Sequence, residues 1–179
     1  WGCGAAPSAP EAPAAPAVPA ALASVQQAFV ETYAEIVYAS YVDSLTTAQT
    51  LREALKDFVA DPSEATHQAA KAAWLAAQEP YGQTEVYRFY GGPIDGEDGP
   101  EALLNSWPLD EAFIDYVEGD PQAGIINNPE QYPTISQDLL IGLNQVDSEE
   151  SVTTGYHAIE FLLWGQDFNA DGPGDRPYT

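Results

Sequence analysis

Across residues 22–60, apolar side chains recur every three or four positions without interruption. This spacing places them along one side of an α-helix. No part of the chain shows the alternation at every second position that is typical of a half-buried strand. We therefore predict a long first helix in an all-α chain. The recurring positions are Phe29, Tyr33, Ile36/Val37, Ser40/Tyr41, Leu45, Ala48, Leu51, Leu55 and Phe58/Val59.

The remaining helices are predicted from their caps and breaks. Asp61-Pro62-Ser63 ends the first helix, and Ser63 is suited to cap the next one. Pro80 should kink or restart that second helix. With one long structured connection, these helices predict a four-helix-bundle-like domain. The other three main helices are predicted at 63–89, 136–145 and 151–164, the last closed by Gly165, with short helical pieces at 101–105 and 109–117 in the connection.

Residues 1–20 are rich in alanine and proline and have almost no large apolar side chains. Such a segment cannot form a core, so we predict a disordered tether, followed by a helical domain at 21–179. Cys3, the only cysteine, resembles the first residue of a mature bacterial lipoprotein. In that interpretation the protein is exported and reaches the periplasm or cell surface on a lipid anchor in the bilayer. The alternative is a chance thiol in a disordered tail.

The chain is strongly acidic, with 28 Asp and Glu residues against 5 Lys and Arg and a net charge of −23. This surface would repel phosphates, so we predict no binding to nucleic acid. It would attract cations, as a metal-handling protein requires. An acidic solvated surface suited to a saline habitat would explain the same charge. The chain also lacks methionine, even at position 1, which predicts a processed or truncated piece.

His157 and Glu160 are the strongest candidates for a chemical site. They lie three residues apart on a predicted helix and therefore share one face. Most of the residues around them are apolar, so both should be at least partly buried and need a partner. An imidazole and a carboxylate together suit a transition metal such as iron, zinc or manganese. Gly155, without a side chain, would let another helix or a ligand approach closely.

This pair belongs to a longer pattern, Gly155-x-His157-x-x-Glu160 followed by Phe161-Leu162-Leu163-Trp164-Gly165-Gln166-Asp167. Other blocks precede it in order: Trp74; Tyr81-x-x-x-Glu85-x-x-Arg88-Phe89; Gly92-Pro93-Ile94-Asp95; Asn105-x-Trp107-Pro108-Leu109-Asp110-Glu111; and Ile114-Asp115-Tyr116-Val117. Together these blocks resemble the imelysin-like family from about residue 25 to the C-terminus. The resemblance implies two similar four-helix-bundle halves with a functional site between them, of which this chain is the N-terminal half. It also implies export, often with a lipid anchor, and a role in iron uptake.

Glu85 and Arg88 form a second pair spaced by three residues. They are either a local salt bridge or, respectively, a third metal ligand and an anion-binding or supporting residue. Asp110, Glu111 and Asp115 are further candidates for ligand binding or support, although Asp110 equally suits a helix cap. The resulting hypothesis is a site of His157, Glu160 and Glu85 that binds iron, free or chelated, with a membrane transporter or receptor as partner.

Two other functions remain open. A zinc metallopeptidase would need a third ligand and a general base beyond His157 and Glu160. The only other histidine, His67, is predicted at the surface of a polar helix start. A lipoprotein used only for adhesion or scaffolding would need no metal. A calcium loop at 167–172 is a weaker match, because Tyr178 stands where the bidentate glutamate is expected, and a polar turn is the default interpretation.

Overall fold

The computed structural model describes residues 20–179, with side chains from Leu22 onward. Of the predicted tether at residues 1–20, only Ala20 is among the described residues. Cys3 lies outside them. The helices are α1 (Ala20–Ala60), α2 (Glu64–Gln83), α3 (Glu101–Leu104), α4 (Glu111–Ile114), α5 (Gln137–Leu143) and α6 (Gly155–Trp164), with a 3₁₀ turn at Thr84–Tyr87.

The prediction of an all-α fold is confirmed. Within residues 20–179 no strand is present, and a single antiparallel bridge joins Val117 and Asp120. No helix in this range is both long enough and apolar enough to cross a membrane.

The chain divides into two compact units at Ile36. The described part of the first unit is the beginning of α1, and it carries exposed apolar side chains such as Val25 and Phe29. The second unit runs from Val37 to Thr179 and contains the rest of α1 and all the other elements.

The core of the second unit is formed by one face of α2 and one face of α6. Ser63 caps α2 as predicted, accepting a hydrogen bond from the backbone N–H of Thr66. The buried α2 residues follow a helical spacing of three or four, so they form one stripe. Together with Leu51 of α1 this stripe packs against Tyr156 and Leu163 of α6. The stripe is His67, Ala70, Trp74, Ala77 and Tyr81.

The structure corrects the prediction for His67. This residue is 2% exposed, its Nε2–H donates to the backbone oxygen of Leu163 at 2.8 Å, and its ring stacks on Phe58. The predicted surface position is wrong because His67 lies on the buried stripe of α2. There it connects α1, α2 and the end of α6.

Several helix ends also differ from the prediction. The second helix passes through Pro80 and ends at Gln83, six residues before the predicted end at Phe89. At the observed end, the Thr84 hydroxyl donates to the Tyr81 backbone oxygen at 2.6 Å. The last helix begins at Gly155 instead of 151. Its N-cap residue Thr154 has an extended backbone, and Thr153 bonds to Leu140 and Asn144 in and just after α5. α4 covers only Glu111–Ile114 of the predicted 109–117.

Candidate functional site

The first turn of α6 is positioned by a close approach to α3. Gly155 has a φ of +87°, and a Cβ atom there would lie 2.4 Å from the backbone oxygen of Leu104. A side chain is therefore excluded by both the backbone conformation and the neighbouring helix. This is the close approach of another helix that Gly155 was expected to permit. It fixes the start of α6, two residues before His157.

α6 has three faces with different surroundings. Tyr156 and Leu163 face the α1–α2 core, while Ala158 and Phe161 pack with Ile114 of α4. The remaining face carries His157, Glu160 and Trp164, at positions i, i+3 and i+7, and all three line one cavity.

His157 and Glu160 are bonded to each other. The Nδ1–H of His157 donates to Glu160 Oε2 at 2.8 Å, with the imidazole 18% and the carboxylate 38% exposed. A carboxylate at Nδ1 fixes the tautomer in which Nε2 carries a lone pair. Among residues 20–179, Nε2 of His157 has no hydrogen-bond partner. It is therefore the nitrogen left for an external ligand.

The cavity beside this pair has a volume of about 330 Å³. Three of the four tryptophans of the chain line it. The indole of Trp107 lies against the His157 ring, with centroids 4.8 Å apart, and is 68% exposed. The lining residues are Trp74, Leu75, Trp107, Leu109, Glu111, His157, Glu160, Phe161, Trp164, Gly165, Asp167, Pro173 and Gly174.

Two further carboxylates lie in the cavity lining. Glu111 accepts a hydrogen bond from the side chain of Gln166 at 2.6 Å. Asp167 accepts the backbone N–H of Asn169 at 2.9 Å, and the Asn169 amide donates to the Pro173 oxygen at 2.7 Å. These bonds make 167–173 a polar turn. Nowhere in the described part of the chain do three or more His, Cys, Asp or Glu side chains form a group that could hold a metal ion.

Glu85 is not brought to this cavity. It is exposed on the 3₁₀ turn, and neither Glu85 nor Arg88 lines the cavity. The three-ligand site of His157, Glu160 and Glu85 is therefore not formed among residues 20–179.

Arg88 is bonded elsewhere instead of forming a local pair with Glu85. Its guanidinium forms an ion pair with Glu101, the first residue of α3, which also accepts the hydroxyl of Tyr81. Arg88 is buried, and it lies 5.4 Å from the centre of the Tyr81 ring. The cluster of Tyr81, Arg88 and Glu101 ties the end of α2 to α3, and so supports the turn against which Gly155 packs.

Burial raises the pKa of Tyr81 to about 12 from its ordinary 10.0, against the opposing effect of Arg88. Above pH 10 the unfolded chain releases this phenolic proton while the folded chain keeps it. The free energy of unfolding should therefore fall between about pH 10 and pH 12 by on the order of 1 kcal/mol per pH unit. Urea unfolding across this range should show a shallower fall for Tyr81→Phe. Tyr38→Phe, at an exposed position, is the control and should keep the wild-type slope.

The other predicted residues have structural contacts. Asp110 caps α4 by accepting the N–H of Ala112 at 3.0 Å, which confirms the cap interpretation. Asp115 is buried and pairs with Arg176 at 2.5 Å, and it also accepts the Asn127 amide at 2.9 Å. Of the three acidic residues 110, 111 and 115, only Glu111 lines the cavity.

Comparison with known proteins identifies the family of the chain. The Imelysin family model matches residues 37–179, which is most of the chain. The chain belongs to the imelysin family. This confirms the resemblance inferred from the motif blocks, and the matched range contains every described candidate residue.

A curated relative of this imelysin-family chain is Iron-regulated protein A of Synechococcus elongatus. The two are 29% identical over 138 residues, covering 77% of this chain and 30% of the relative. The chain thus spans less than a third of the length of the curated protein that it matches.

Proposed function

We propose that this chain is part of an exported metal-binding protein of the iron uptake or homeostasis type. It binds iron, or another transition metal, through Nε2 of His157. The observation that carries the proposal is the His157–Glu160 pair at the edge of an acidic, tryptophan-lined cavity, with Nε2 open. The similarity to a relative named as iron-regulated favours iron as the metal.

Glu160 has a different role in this proposal from the one that spacing alone suggested. Its carboxylate is bonded to Nδ1 of His157, so it acts by orienting the imidazole and fixing the tautomer that has a lone pair on Nε2. The described residues therefore fit part of a metal site. They provide one imidazole donor, Nε2 of His157, and the metal would need further donors besides it. Zinc would also suit this donor.

A zinc peptidase is the less favoured alternative. A catalytic zinc usually takes three protein ligands and an activated water. Among residues 20–179 no group of three ligands is present, and the carboxylate nearest to His157 is engaged at Nδ1. No observation in the cavity specifically favours hydrolysis.

Glu160→Gln is expected to weaken metal binding about 10- to 100-fold. A neutral amide oxygen accepts the Nδ1–H less strongly than a carboxylate, and the amide NH2 can donate to Nδ1 and so favour the tautomer without a lone pair on Nε2. Anaerobic calorimetric titration with Fe(II), and separately with Zn(II), measures this change. Glu64→Gln is a matched control, because Glu64 also accepts a side-chain hydrogen bond on a helix but lies outside the cavity. Unchanged binding in His157→Ala would contradict the proposal.

Export and membrane attachment are proposed from the sequence. Cys3 would carry the lipid, residues 1–20 would be the tether, and a transporter or receptor would take over the metal. Expression with labelled palmitate tests the anchor: label should be incorporated into the wild-type chain and absent from Cys3→Ser. Equal labelling of both would contradict lipidation at Cys3.

A further inference from the structure

We propose that the cavity binds a metal ion already held by a small organic chelator with flat, apolar rings, and that the bound complex is neutral or positively charged. This inference rests on the proposed function and specifies its cargo. It follows from three features of the cavity: its donors, its walls and its charge.

Within residues 20–179 the protein donors are too few to hold a bare ion by themselves. A transition metal ion takes about four to six donor atoms. Within residues 20–179 the cavity provides the open Nε2 of His157, and no group of three His, Cys, Asp or Glu side chains is in a position to bind an ion. The donor set of the described residues therefore fits an ion that brings most of its own ligands better than it fits a bare ion.

The walls of the cavity suit an organic molecule. Its volume of about 330 Å³ is far larger than an ion needs, and lies within the range of small-molecule pockets, about 300–1,000 Å³. Leu109, Phe161 and Trp164 give it apolar walls. The exposed indole of Trp107 stands next to the His157 imidazole, so a flat ligand coordinated by His157 could stack on Trp107.

The charge of the cavity selects among such complexes. Glu111, Glu160 and Asp167 line it, and none of the five basic residues does. Two cations contact rings of the lining: Lys71 lies 5.4 Å from the centre of the Trp164 ring, and Arg176 lies 5.4 Å from that of Phe161 but is paired with Asp115. On a chain of net charge −23, this lining would repel an anionic complex and favour a neutral or cationic one.

Tryptophan fluorescence of the full chain can test these features, because three of its four tryptophans line the cavity. The first probe is ferric salen, a planar, aromatic, positively charged complex with open axial positions. Bare Fe(II) and the anionic ferric EDTA complex are the comparison probes. We expect ferric salen to bind at least about 10-fold more tightly than either, and its visible absorption band to shift as an imidazole coordinates.

Two variants separate stacking from coordination. Trp107→Ala should weaken salen binding about 3- to 10-fold, as the loss of one ring contact would, and should keep the spectral shift. Trp107→Phe, which retains a ring, should recover most of the affinity. His157→Ala should abolish the spectral shift.

The outcomes distinguish this inference from the proposed function. Bare Fe(II) binding as tightly as ferric salen, with Trp107→Ala neutral, would overturn the chelate inference and leave metal binding intact. Equal binding of metal-free salen, with no shift dependent on His157, would overturn both. Absence of binding by all three iron probes would also overturn both.

Discussion

Replacing Arg176 with alanine is expected to lower the free energy of unfolding by about 3–5 kcal/mol. Arg176 pairs with Asp115 at 2.5 Å, and the two side chains are only 11% and 9% exposed. Removal of the guanidinium would leave a buried carboxylate without its countercharge. The guanidinium also lies over the rings of Tyr116 and Phe161, so packing is lost as well. Urea unfolding followed by circular dichroism measures the change.

Two comparisons show whether the buried charge is the cause. Arg52→Ala removes an arginine from an exposed pair with Glu53, and should change stability by about 1 kcal/mol or less. Asp115→Asn, added to Arg176→Ala, should restore part of the lost stability because it removes the unpaired charge. A loss below about 1 kcal/mol in Arg176→Ala itself would mean that the Asp115–Arg176 pair contributes no more than an exposed ion pair.

The second large effect is expected for Trp74→Ala, also about 3–5 kcal/mol. Trp74 is 5% exposed, and its indole N–H donates to the Tyr156 backbone oxygen at 2.9 Å. Its ring packs edge-on against Tyr156 and Trp164. The substitution would create a cavity between α2 and α6 and leave a buried carbonyl without its donor. Thermal unfolding should therefore show a clear drop in the midpoint.

Trp107→Ala is the matched control, since it removes the same side chain from an exposed position in the same cavity. Its effect on stability should be about 1 kcal/mol or less. Equal losses in the two variants would contradict the assignment of Trp74 to the core and of Trp107 to the ligand side of the cavity.

Local features of the fold could be predicted from sequence because they depend on short-range chemistry. The periodicity of α1, the Ser63 cap and the Gly165 stop are all set by neighbouring residues. The burial of His67 could also have been predicted from its spacing. His67 stands three residues before Ala70 and seven before Trp74, on the same helical stripe. The prediction failed because its polar neighbours were given more weight than this spacing.

Contacts between distant residues could not be predicted in this way. Arg88 meets Glu101 instead of Glu85, and Asp115 meets Arg176, which is 61 positions later. A spacing of three residues indicates only that a local pair is geometrically allowed. Which partner is chosen depends on how α2, α3 and the C-terminal residues pack.

The candidate site was predicted in part. His157 and Glu160 share a helical face, as their spacing implies, yet the structure bonds them to each other. Trp107 and Asp167 belong to the motif blocks, but their place in the cavity depends on loops that periodicity does not describe. The cavity walls, from which we propose the size and charge of a ligand, could be described only in the folded chain.

Metal binding through His157 is tested most directly by elemental analysis of the full chain, purified without chelators, beside the His157→Ala/Glu160→Ala variant. Binding through His157 predicts a near-stoichiometric transition metal, iron first, in the wild-type protein and its loss in the variant. Both proteins should keep the same helical circular dichroism spectrum. The same metal content in both, or no metal in the wild-type protein, would contradict it.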